Sequence, residues 1–89
     1  MTIQKDMKES YKIEFEAIAK RLKEIRKSKG YNNYEHIAFD LGMSRSAYWR
    51  LESGANFEMK TLLKICKLLE ISLEVFFNGI DLPKPIEKD

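Results

Sequence analysis

The chain has 89 residues, 44% hydrophobic and 34% charged, which is the size and balance of one small globular domain. That length excludes a full dinucleotide fold or a barrel, and such a chain buries only about 60–65% of its unfolded surface, so stability is expected to be modest. The net charge of +2 is too small for a bulk polyelectrolyte binder and is unevenly spread: residues 1–30 carry nine Lys/Arg against five Asp/Glu, while 31–60 and 61–89 each come to −1.

Nothing reads as strand, because no alternating β-branched run persists and the prolines fall only at Pro83 and Pro85. Helical periodicity runs through the chain instead. Residues 1–10 are polar and read as a loose, irregular extension of the first helix. That helix is predicted over 12–29, with Phe15, Ile18, Ala19, Leu22 and Ile25 on one face. Gly30 ends it, behind Lys27 and Lys29, which suit a helix C-terminus. Asn33 is a good N-cap for a second helix with Tyr34, Ile37, Ala38 and Leu41 at i, i+3, i+4 and i+7, closed by Gly42. Ser44 caps a short third helix with Tyr48 and Leu51 inward, ending before Gly54. The loop Gly54-Ala55-Asn56-Phe57 leads to a fourth helix, where Leu62, Ile65, Cys66 and Leu69 repeat the spacing. Ser72 caps a last turn carrying Leu73, Phe76 and Phe77, and the tail beyond Gly79 is expected to fray. The expected fold is all-α, with five helices.

The informative stretch is Tyr34 to Glu52. With Tyr34 as position one of a twenty-residue unit, Ala38 falls at position five and Gly42 at nine. Ile37, Leu41, Met43, Tyr48 and Leu51 take positions four, eight, ten, fifteen and eighteen. A small residue at five lets two helices cross closely, and glycine at nine supplies the positive φ of a sharp turn. The apolar positions hold the unit against its neighbours. This is the spacing of a helix-turn-helix, whose second helix enters the major groove.

Around that unit, the runs 25–30, 37–46, 50–54, 61–69 and 71–77 resemble the Cro/phage-repressor helix-turn-helix family, the xenobiotic-response-element type, over roughly two-thirds of the chain. The resemblance implies a five-helix lambda-repressor-like DNA-binding domain over 12–80, between an N-terminal extension (1–11) and a C-terminal tail (81–89). It makes the outer face of the third helix the base-contacting surface, here Arg45, Ser46, Trp49 and Arg50. Either arginine can fork to guanine O6 and N7, and Ser46 can donate or accept. Trp49 stands where small or polar residues are commoner. Contact with a thymine methyl or sugar, and packing against a neighbouring helix or partner subunit, are level readings of it. Phosphate contacts are implied for Lys27, Lys29, Asn33, Tyr34, Ser44, Phe57 and Lys60. Two departures bear on docking: Tyr34 replaces the family's usual Gln, and the loop Gly30-Tyr31-Asn32-Asn33 is one residue longer. Arg26 and Glu52 are implied as a structural pair that fixes the recognition helix.

Other residues read blandly. His36 is the single histidine and no Cys/His cluster accompanies it, so it is expected to be an exposed side chain rather than a metal ligand. Cys66 lies on an apolar stripe and reads as a buried small hydrophobe; being alone, it leaves no internal disulfide. The Lys20–Lys29 charge run reads first as a solvated helix face, with a phosphate role added by its nearness to the groove side. Leu73, Val75, Phe76, Phe77, Ile80 and Leu82 exceed what a small domain needs at its end, so some are expected in the core and others in a subunit contact. No paired nucleophile and base, Gly-rich phosphate loop or carboxylate pair stands out, so no enzyme activity, cofactor or metal is expected. The polar start and the absence of an apolar run of about 18 residues point away from the membrane, to a cytoplasmic protein, and the family resemblance implies a prokaryotic one, nucleoid-associated when bound to DNA.

The expected partner is double-stranded operator DNA, pseudo-palindromic, taken by a homodimer with half-sites about 10 bp apart. The alternative, from another class, is a protein-interaction module on the same fold, such as the antitoxin of a toxin–antitoxin pair. Trp49 and the apolar end residues are compatible with it.

Overall fold

The computed structural model describes residues 3–80. Its five helices are α1 (Ile3–Ser28), α2 (Tyr34–Leu41), α3 (Arg45–Glu52), α4 (Met59–Leu69) and α5 (Leu73–Phe77), and no strand occurs among the described residues. None of these helices is long and apolar enough to cross a membrane. The tail over 81–89, Leu82 included, lies outside the described residues.

The elements follow the sequence closely, with one difference at the start. The apolar stripe predicts a first helix from residue 12, but α1 begins at Ile3. The stretch 3–11 holds neither Gly nor Pro, and most of its residues are good helix formers, so nothing stops the helix there. Ile3, Met7 and Tyr11 also continue the four-residue spacing that leads into Phe15.

Caps set the other boundaries. The Asn33 side chain accepts a hydrogen bond from the His36 amide at 3.0 Å, the Ser44 hydroxyl accepts one from Ala47 at 3.1 Å, and the Ser72 hydroxyl accepts one from Val75 at 3.0 Å. At the C-termini of α1 to α4 the chain reverses through a left-handed residue, and an amide reaches back five residues: Tyr31 to Arg26, Met43 to Ala38, Ala55 to Arg50, Ile71 to Cys66. Three of those residues are glycines, and the fourth is Glu70, at φ 58°.

One core joins the helices. Leu22 and Ile25 of α1 meet Ile37, Ala38 and Leu41 of α2, Tyr48 and Leu51 of α3, Leu62, Ile65, Cys66 and Leu69 of α4, and Phe76 of α5. Cys66 is buried there, and burial pushes its thiol pKa up. His36 is exposed, edge-on to the Tyr31 ring. Arg21 secures α5: its Nε donates to the Phe76 carbonyl and its Nη2 to the Val75 carbonyl, both at 2.7 Å. Those carbonyls belong to the last turn of a five-residue helix, where a cation also meets the negative end of the dipole.

Candidate nucleic-acid interface

The link between α2 and α3 fixes how α3 is presented. Gly42 adopts φ 71°, and the Met43 amide returns to the Ala38 carbonyl at 2.9 Å. Ala38 is 1% exposed, so a larger side chain there would push the helices apart. Tyr48 and Leu51 turn inward, leaving the opposite face of a two-turn helix to solvent.

Buried polar chemistry locks that orientation. Arg26 is only 3% exposed, and its Nε and Nη2 fork onto Glu52 at 2.6 and 3.2 Å. Its Nη1 donates to the Tyr31 carbonyl at 2.6 Å, so all three guanidinium nitrogens are used. Glu52 also accepts from the Tyr48 hydroxyl at 2.7 Å. Burial, and then the bond to the Glu52 carboxylate, push the Tyr48 phenol pKa far up. The end of α1, the loop after it and the C-terminal half of α3 are thereby tied together. At the surface, the Tyr31 hydroxyl also ties this loop to α2 by donating to Asp40 at 2.6 Å.

Arg45, Ser46, Trp49 and Arg50 are all exposed along the outer face of α3. Arg45 is not solitary: its Nη1 meets Glu35 Oε2 at 2.5 Å, and that carboxylate, by hydrogen bond and then charge, raises the guanidinium pKa further. Arg50 makes no ion pair among the described residues and borders a groove with Ala47, Asn56 and Thr61. Trp49, half exposed, lines a second groove with Lys23, Lys27, Asn32, Asn33 and Tyr34. The outer face of α3 thus has a shallow groove on each flank, and the one beside Trp49 is basic.

The residues expected at phosphates fall into three groups. Lys27, Lys29 and Lys60 are exposed cations near helix ends. Asn33 and Ser44 use an oxygen to cap a helix, which leaves the Asn33 amide N–H and the Ser44 O–H as donors. Tyr34 and Phe57 are half-buried against the core, so Phe57 can offer a phosphate only its backbone amide. Sequence reasoning missed Glu35 and Asn32, and reached Lys23 only as one member of the Lys20–Lys29 run. Lys23 is one turn before Lys27 on the same face of α1. Glu35 is opposite in charge to a residue ten positions away across a turn, which no helical spacing rule reveals.

A helix-turn-helix family model matches residues 22–76. The chain is also 38% identical, over 60 residues, to the SPbeta prophage-derived uncharacterized HTH-type transcriptional regulator YonR of Bacillus subtilis (strain 168). That alignment covers 66% of this chain and 55% of the relative, so the chain spans about half the length of the relative it matches. No solved structure matches it significantly.

Proposed function

The chain belongs to the helix-turn-helix family, and from that membership we propose that it is a sequence-specific DNA-binding transcriptional regulator whose α3 enters the major groove of operator DNA. The observation that carries this reading is the contrast between the two faces of α3. Its inner face is fixed by Tyr48, Leu51 and the Arg26–Glu52 pair, while its outer face offers Arg45, Ser46, Trp49 and Arg50. A rigid helix with two guanidinium forks outward suits guanine recognition. In this reading Lys27, Lys29, Asn33, Tyr34, Ser44, Phe57 and Lys60 contact the flanking phosphates, and the protein acts by binding alone, without catalysing a reaction.

A homodimer on a pseudo-palindrome completes the proposal, because two modest half-site contacts then combine. The exposed Val75 and Phe77 of α5 supply apolar surface that the core does not use. The same two residues, with Trp49, favour the second reading, a protein-interaction module on this fold.

Selection of bound duplexes from a random pool, near physiological salt, tests the proposal. An enriched motif with two related half-sites is the expected result. Arg50→Ala is then expected to lose discrimination at one position by about 1–3 kcal/mol, with folding intact. A folded protein that enriches no motif shifts the function to the protein-interaction reading.

A further inference from the structure

Resting on the proposal that α3 reads base pairs, we infer that Glu35 is a positioning residue for Arg45, holding one edge of its guanidinium toward the groove and sharpening the reading of that base pair. Glu35 lies in the first turn of α2 and Arg45 begins α3; the turn at Gly42 brings them together. The contact, Nη1 to Oε2, joins side chains that are 66% and 57% exposed. A pair so exposed contributes little to the fold, so stability does not account for it.

Its geometry bears on recognition instead. With Nη1 turned to Glu35, the Nε–Nη2 edge of Arg45 remains, and its two parallel N–H groups match the O6 and N7 of guanine. An untethered arginine on an exposed helix also reaches phosphate oxygens, which carry no sequence information. Tethered, its charge is balanced by Glu35 and adds little to attraction for any duplex. Removing Glu35 therefore has two opposed effects. Binding to arbitrary DNA strengthens, and discrimination at one base pair weakens.

The test measures affinity for the selected duplex, its single-position variants and a random duplex, at several salt concentrations. Wild type, Glu35→Ala, Glu35→Gln and Arg45→Ala are compared, the last identifying the position that Arg45 reads. For Glu35→Ala the expected result is tighter binding to the random duplex, a log–log salt slope steeper by about one, and about fivefold or greater loss of preference at the Arg45 position alone. Glu35→Gln keeps an acceptor without the charge, so it recovers part of that preference while retaining the tighter random binding. A uniform gain for every sequence, with preference unchanged, overturns the inference and makes Glu35 a mere phosphate repeller. Loss at every position together with a lowered melting temperature also overturns it, in favour of a structural role. If wild type itself lacks base preference, the regulator reading falls and this inference with it.

Discussion

A carboxylate that is 8% exposed, held between a guanidinium and a phenol, has no water to replace a lost partner. Removing either charge of the Arg26–Glu52 pair strands the other, at a cost of about 3–5 kcal/mol. Glu52→Ala is accordingly expected to lower the urea midpoint severely, and Arg26→Ala similarly, whereas replacing both residues with apolar ones costs much less. The phenol beside them gives a pH prediction. The ordinary phenol pKa of 10.0 describes the unfolded chain, and in the folded protein Tyr48 holds its proton well beyond that. Above pH 10 the unfolded state therefore loses its proton first, and stability falls as pH rises; the Cys66 thiol, with an ordinary value of 9.0, acts in the same direction from near pH 9. Urea midpoints between pH 8 and pH 11 are expected to decline, less steeply in Tyr48→Phe, which has no proton to lose.

At the scale of elements, the ends of the helices were more legible than their contacts. Asn33, Ser44 and Ser72 read as caps because their short side chains satisfy the orphan amides of a first turn, and they do so here. Gly30, Gly42 and Gly54 read as stops because each occupies a left-handed turn. The end of α4 was not marked, since Glu70 takes a conformation that costs a residue with a Cβ about 1–2 kcal/mol. Glu70→Gly is expected to relieve most of that strain, raising the melting temperature by about 4–8 °C per kcal/mol gained. A thermal scan that shows no gain places compensating contacts on the Glu70 side chain. The start of α1 was set too late, at residue 12, although Ile3, Met7 and Tyr11 carry the four-residue apolar spacing back from Phe15 and most residues between them are helix formers.

For the whole molecule, a net charge of +2 says little, but its placement says more. The excess of cations gathers toward the end of α1, and there the fold brings Lys23 and Lys27 beside Trp49 and the start of α2. The helix-turn-helix was legible because sterics fix residue types at fixed spacings within one short unit. The groove beside Trp49 and the Glu35–Arg45 pair were not, because they join residues of different helices through tertiary packing. Trp49 is also the sole tryptophan and is half exposed, so its fluorescence reports on the outer face of α3 without a label. The most direct test of the central claim is a titration of that emission with the selected duplex, followed in parallel by anisotropy of labelled DNA. A saturable change in Trp49 emission that tracks the anisotropy, and weakens as salt rises, is the predicted result. DNA binding seen by anisotropy with Trp49 emission unchanged would put the duplex on another face of the protein and contradict the account.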